Sequence, residues 1–293
     1  MITKNEAVPH LAKALEMKSL FFKREDLHPY GSHKGRSIPV MIDTYLLQGI
    51  KYFAITGSGN AALAAALHVE KLNKDRIGDE KINLDILVGQ KISPKKLGKL
   101  DMLRNQYVHV TMHDRPLQTL FTKIQDPLVR ALRQSTDDLS LLGYEALGKE
   151  LLDIPELSAI FIGTSSGTTA QALAEYFKNK GAKIEMNIVQ TSSCHPMVES
   201  LENENPLEEV SIADAIVDQG AIRKPKLLEL IEESGGTGWI VSNEQIKVAQ
   251  EITKKNTDIS ISTNSALSVA GLMQAAYTGR EWRGAVVCMI CGD

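Results

Sequence analysis

Apolar residues along this chain gather into short runs, each followed by a turn of small residues and then by a helical pattern. Residues 51–56 predict a strand, Gly57-Ser-Gly-Asn60 a turn, and the alanine-rich stretch 61–72 a helix. The unit returns with a strand at 84–88, Ser93-Pro94 as cap and first turn, and a lysine-rich helix to about residue 105. Residues 107–111 give a third strand, and 37–47 an earlier helix. A second series begins with a strand at 159–162, a polar loop at 163–169 and a helix at 170–179 closed by Gly181. Strands at 184–190 and 285–290 complete it, while 116–152 reads as largely helical.

Strands that alternate with helices need crossover connections, so the class is α/β with mainly parallel sheets and flanking helices. No repeat, low-complexity tract or Gly/Ser/Pro linker separates the two series, which suggests two lobes packed closely around a cleft. Ligands in such folds sit beyond the carboxyl ends of the strands. The loops at 31–35, 57–60 and 163–169 therefore hold the candidate chemistry.

Composition narrows the setting. The 293 residues suffice for two modest cores, and 43% hydrophobic with 24% charged is the balance of a soluble globular protein. A formal charge of -3 leaves no basic excess for nucleic acid. Cys194, Cys288 and Cys291 are too few for a disulfide framework and fit a reducing compartment. Residues 1–18 lack the apolar core of a secretory signal, and no apolar run approaches the roughly 18 residues of a membrane helix. A cytoplasmic protein acting away from membranes is expected.

The loop Gly163-Thr-Ser-Ser-Gly-Thr-Thr169 follows a strand, precedes a helix and carries only small or hydroxylic side chains. Its amides can approach an anion while the helix dipole adds attraction, so phosphate is the natural guest. It is not a Walker A motif, since no Gly-Lys-[Ser/Thr] follows, and a plain strand-to-helix connection stays open on this loop alone. Gly57-Ser-Gly-Asn-Ala-Ala62 has G-x-G-x-x-A spacing, but the acidic ribose partner of a dinucleotide fold is missing, because Asp85 lies inside its strand. That loop can equally present N–H groups to a substrate carboxylate. Lys34, just before the helix at 37–47, has its charged form disfavoured by the dipole, which favours the neutral amine that a Schiff base requires. On local sequence a solvated surface lysine remains an alternative.

Taken together, these loops resemble a family. Lys-Arg-Glu-Asp-Leu-His-Pro-Tyr-Gly-Ser-His-Lys-Gly-Arg, residues 23–36, is similar to the lysine segment of the fold-type-II pyridoxal 5'-phosphate (PLP) enzymes. These include threonine synthase, threonine dehydratase, cysteine synthase and the tryptophan synthase β subunit. Against the form K-x-E-x-x-N-P-T-G-S-F-K-x-R of the threonine synthase branch, Lys23, Glu25, Pro29, Gly31, Ser32, Lys34 and Arg36 match in register. Ser58-Gly-Asn60 resembles the family's S-G-N loop and Ser165-Ser-Gly-Thr168 its phosphate cradle. Segments 233–244 and 264–271 are similar to the threonine synthase and dehydratase branch. Departures are His28, Tyr30 and His33 in the lysine segment, and serines at 165 and 166 where many relatives have glycine or threonine.

The resemblance implies a two-domain, three-layer fold, with residues 1–35 and 140–293 forming a large PLP-binding domain and 36–139 a small mobile one. It implies PLP bonded to Lys34, its phosphate on Thr164, Ser165, Ser166, Gly167 and Thr168, its ring oxygen at Asn60 and its ring nitrogen at Cys291. Relatives commonly carry Ser or Thr at that last position; a neutral partner does not force the ring to be protonated, which suits elimination over transamination. The substrate carboxylate would bind at Ser58, Gly59, Asn60 and Ala61. The expected reaction is elimination or replacement on a small β- or γ-substituted amino acid, threonine synthase-like, by a homodimer. A serine/threonine dehydratase, a cysteine-synthase-like replacement enzyme, a PLP-binding protein without turnover and, in another class, a nicotinamide-dependent oxidoreductase are the alternatives.

Other residues read as structural. Cys288-Met-Ile-Cys291 has C-x-x-C spacing, but residues three apart on a strand point to opposite faces, so no metal site is expected and Cys288 is core. Cys194-His195-Pro196 reads as a turn, the apolar stripe within 139–152 as core, and Glu145 as non-catalytic.

Overall fold

The protein is described from a computed structural model that covers residues 2–57, 59–90, 92, 94–198 and 210–292. The chain opens with β1 (Asn5–Ala7), α1 (Pro9–Ala14), β2 (Leu20–Arg24) and a 3-10 turn (Glu25–Leu27). Next come α2 (Lys34–Leu47), β3 (Tyr52–Thr56), α3 (Asn60–Asn73), β4 (Asn83–Gly89), α4 (Pro94–Asp101) and β5 (Val108–His113). Then follow α5 (Pro116–Lys123), β6 (Val129–Ala131), α6 (Leu139–Leu142), α7 (Glu145–Leu152), β7 (Leu157–Gly163) and α8 (Thr168–Asn179). The last elements are β8 (Glu185–Thr191), α9 (Lys224–Ser234), β9 (Gly238–Val241), α10 (Asn243–Thr257), α11 (Thr263–Tyr277) and β10 (Ala285–Ile290).

By internal contacts the chain divides into two units, Met1–His28 with Tyr144–Asp293, and Pro29–Gly143. Residues 29–35 and 140–143, grouped with the large domain in the sequence reading, fall by contact in the second unit. The first unit holds a six-stranded sheet of order β1-β2-β10-β7-β8-β9, parallel except for β1. Every residue of β10 is buried, as expected of a parallel strand covered on both faces. The second unit holds an all-parallel sheet of order β5-β4-β3-β6.

Helix α11 covers β7, β8 and β10 closely. A Cβ at Gly271 would stand 2.4 Å from Val189 Cγ2, so only glycine allows this approach. Helix α2 begins at Lys34 rather than at 37, which corrects the sequence reading. Ser32 Oγ accepts from the Lys34 amide (3.3 Å), and the amides of Gly35 and Arg36 bond back to Ser32 and His33, winding the turn early. The lysine-rich helix ends at Asp101, short of 105, where Asn105 Oδ1 takes the amides of Tyr107 and Val108 into a turn. A strand, β6, pairs with β3 inside the region expected to be helical.

Strand β2 carries a charge into the core. Lys23 is fully buried, with Nζ 2.5 Å from Glu150 Oε2 and donating to the Thr3 carbonyl at 2.9 Å. The Thr3 amide also donates to Glu150 Oε2 (3.2 Å), and the Thr3 hydroxyl donates to buried Glu25. The cluster ties β2, the residues before β1, and α7 into one unit. Removing one member leaves a buried charge uncompensated. Glu150→Leu is therefore expected to lower stability by about 3–5 kcal/mol, and Lys23→Met with Glu150→Leu to recover much of that loss. Urea midpoints of the single and double variants check this; equal losses in both would contradict it.

Candidate cofactor site

The sheet of the first unit brings two of the sequence-predicted positions to one edge. Strands β7 and β10 are parallel neighbours with Cys288 opposite Phe161, and that register, continued three residues, sets Cys291 level with Thr164. The loop after β7 and the residue after β10 thus leave the carboxyl edge side by side. Strand β2 pairs with β10 from the other side, Arg24 opposite Ile290, so the segment leading toward Lys34 departs from the same edge.

The loop 164–168 is built from inside. Thr164 Oγ1 accepts from the Gly167 amide (3.0 Å), closing the turn. Gly167 has φ +77, a left-handed backbone that favours glycine, and a Cβ there would lie 2.7 Å from Leu227 Cδ2. Gln190, fully buried on β8, donates through Nε2 to the carbonyls of Thr164 (3.1 Å) and Ser165 (3.4 Å), and its Oε1 accepts from the Met197 amide (2.8 Å). Ser165 Oγ accepts from the amides of Val217 and Asp218, each at 3.0 Å, which engages that side chain with a second segment. Ser166 and Thr168 pair their hydroxyls at 3.0 Å at the head of α8, whose first-turn amides lack helical carbonyl partners. Amides, hydroxyls and a helix N-terminus are the donor set that suits a phosphate monoester.

Beside it, Cys291 is 6% exposed and the backbone after it is clamped. Ser262, the N-cap of α11, donates to the Gly292 carbonyl (2.7 Å) and accepts from the Ser265 amide (3.1 Å). The Gly292 amide donates to Ser265 Oγ at 3.2 Å. Cys288 is core: its thiol donates to the Ser268 carbonyl (3.6 Å), and burial pushes it far above the ordinary thiol range. Cys194 is likewise raised by burial, then by Asp218, in a turn where His195 Nδ1 meets the Thr191 carbonyl at 3.1 Å. Among the described residues no group of three or more His, Cys, Asp or Glu side chains is placed to hold a metal ion.

In the second unit, Lys34 is the first residue of α2 and is partly buried. Tyr30 anchors the segment before it: its hydroxyl is 2.9 Å from His68 Nδ1, and His68 Nε2 is 2.8 Å from Asp43 Oδ1. A carboxylate only accepts, so Nε2–H donates to Asp43; in the neutral imidazole Nδ1 then accepts from the Tyr30 hydroxyl. Burial, and then Asp43, raise the Tyr30 phenol, so it remains a donor. Asn60 opens α3, with Gly59 as N-cap and Ala61 following, all three partly exposed. Ser58 lies outside the described residues.

A family of proteins described as pyridoxal-phosphate dependent enzymes matches residues 2–292. The chain belongs to that family, and pyridoxal phosphate is its cofactor. Threonine synthase of Methanosarcina acetivorans is 26% identical, over 96% of this chain and 72% of the relative. The enzyme of the same name from Methanocaldococcus jannaschii is 25% identical over 97% of this chain and 72% of its own length. In fold, a pyridoxal 5'-phosphate-dependent aspartate racemase aligns with TM-score 0.82 at 20% identity, covering 100% of this chain and 90% of that one. The processed form of threonine deaminase isoform 2 from Solanum lycopersicum gives 0.80 at 19% identity, covering 99% and 83%. Among the described residues no helix is long and apolar enough to cross a membrane.

Sequence reasoning missed Gln190, Ser262 and Tyr30 as supports of these loops. Gln190→Leu is expected to cost about 1–3 kcal/mol, because two loop carbonyls and an amide lose a buried partner. Hydrogen exchange should quicken at the amides of 164–167 and stay unchanged in β9. Unaltered exchange in the loop would show that Gln190 does not hold it.

Proposed function

We propose that this enzyme catalyses elimination or replacement on a small β- or γ-substituted amino acid, as a threonine synthase-like carbon–oxygen lyase, with Lys34 holding the cofactor. The observation that carries the reading is the convergence at one sheet edge. The phosphate-type loop after β7, Cys291 after β10 and the root of the lysine segment after β2 all leave the same side. Likeness to curated threonine synthases along nearly the whole chain supports the reaction class.

In this reading the loop 164–168 holds the phosphate through amides and hydroxyls, and Cys291 offers a neutral partner to the ring nitrogen. A thiol is a weaker donor than the hydroxyl it replaces. Bound pyridoxal phosphate supplies an electron sink for negative charge developing at the α-carbon of the amino acid. Asn60 meets the ring oxygen, and the start of α3, with Ser58, Gly59 and Ala61, receives the substrate carboxylate; helical N–H groups suit that charge. Lys34 Nζ would remove the α-proton and deliver it to the departing group. Tyr30, His68 and Asp43 fix the segment from which that amine extends. A homodimer in the cytoplasm goes with the same reading.

Borohydride reduction of the PLP-loaded protein is expected to fix the cofactor on the peptide containing Lys34 and to give no adduct with Lys34→Ala. Turnover of the reactive member of a panel of O-phosphohomoserine, threonine, serine and O-acetylserine should fall roughly 10²–10⁴-fold in that variant. An adduct on another lysine, or full turnover by Lys34→Ala, would overturn the assignment. Chiral analysis of recovered substrate separates elimination from racemisation. Serine or threonine as preferred substrate would point to a dehydratase, and O-acetylserine to a cysteine-synthase-like replacement.

A further inference from the structure

We infer that Ser165 ties a strap, residues 211–218, to the cofactor phosphate, so that each is held more firmly when the other is in place. The inference rests on the reading that residues 164–168 are the phosphate cradle. A serine hydroxyl has two acceptor sites and one proton. In Ser165 both acceptor sites are taken, by the amides of Val217 and Asp218, each at 3.0 Å. Donation is what remains to this side chain, and among the described residues its proton meets no acceptor. A phosphate oxygen in the cradle accepts it. Hydrogen bonds in a chain polarise one another: a hydroxyl that accepts from two N–H groups donates more strongly, and one that donates to an anion accepts more strongly.

The strap is held in a way that makes this link matter. Residues 211–218 belong to no helix or strand and lie between β8 and α9 in the chain. Side chains from distant elements fix its backbone. At the head of α10, Asn243 Oδ1 accepts from the Ile212 amide (2.8 Å). At the head of α11, the Thr263 hydroxyl donates to the Ile212 carbonyl (2.9 Å), and Asn264 Oδ1 accepts from the Ala215 amide (3.0 Å). Ala213 and Ile216 are buried in the core of the first unit, whereas Val217 is exposed. Past the Ile216 anchor, therefore, the amides of Val217 and Asp218 both rest on the one Ser165 hydroxyl. The oxygen that pins this end of the strap carries the proton that serves the phosphate. Coupling of this kind is reciprocal: the factor by which the strap tightens the phosphate is the factor by which the phosphate tightens the strap.

The test reads hydrogen exchange at the Val217 and Asp218 amides in apoprotein, in PLP-loaded protein and with pyridoxal, which lacks the phosphate. In wild type, PLP is expected to slow both amides about fivefold or more, and pyridoxal to leave them unchanged. In Ser165→Ala the two amides should exchange at the same rate with and without PLP. The same variant should bind PLP more weakly by at least the factor read from wild-type exchange, with pyridoxal binding unaltered. Unchanged exchange at 217 and 218 in PLP-loaded wild type overturns the link, as does an equal effect of pyridoxal or an undiminished effect of PLP in Ser165→Ala. The wild-type comparison decides even if the variant does not fold. Failure of the cradle reading looks different. It falls if PLP leaves the amides of 165–168 unprotected, and it stands without the link if those amides are protected while 217 and 218 are not.

Discussion

The parallel pairing of β10 between β2 and β7 is the constraint on which the first unit depends. It sets a strand from the end of the chain between one from its beginning and one from its middle. All six of its side chains are buried, so the sheet has no complete core without it. Because all three strands run the same way, their carboxyl ends line up. Everything proposed for the cofactor in this unit follows from that alignment: the loop of 164–168, Cys291, and the departure of the lysine segment.

A second layer of buried polar residues converts that edge into defined geometry. Gln190 bonds two loop carbonyls, Ser262 and Ser265 grip Gly292, and Lys23 with Glu150 ties β2 to α7. Each bond ties a backbone segment to a neighbouring element. Polar groups are costly to bury unless paired, and paired ones specify a single arrangement. The second unit does the same through Tyr30, His68 and Asp43, which hold the turn before Lys34 against α3.

Much of this was legible in the sequence. Interior parallel strands such as β7, β8 and β10 read as apolar runs, and the small, hydroxylic composition of 163–169 marked its loop. The order of the loops along the chain also points to the family. What escaped has identifiable causes. Strand β2 is interrupted by Lys23, which looks like a surface residue until Glu150 meets it from 127 positions away. Strand β6 has three residues and β9 has four, too few for a period to emerge. Gln190 sits in a run of ordinary appearance, and its burial is decided by partners distant in the chain. The early start of α2 is set by a serine hydroxyl at 32, a local bond that periodicity does not register.

The position of β10 also has a consequence for synthesis. Residues 29–143 form a contiguous unit and can complete their own sheet as soon as the last of them leaves the ribosome. The six-stranded sheet cannot, since its third strand is made of residues 285–290. Until those residues appear, β2 and β7 each have an unpaired, apolar flank of the kind that recruits foreign strands. The nascent chain therefore passes through a long interval with the six-stranded sheet held open along its middle, until residues 285–290 close it.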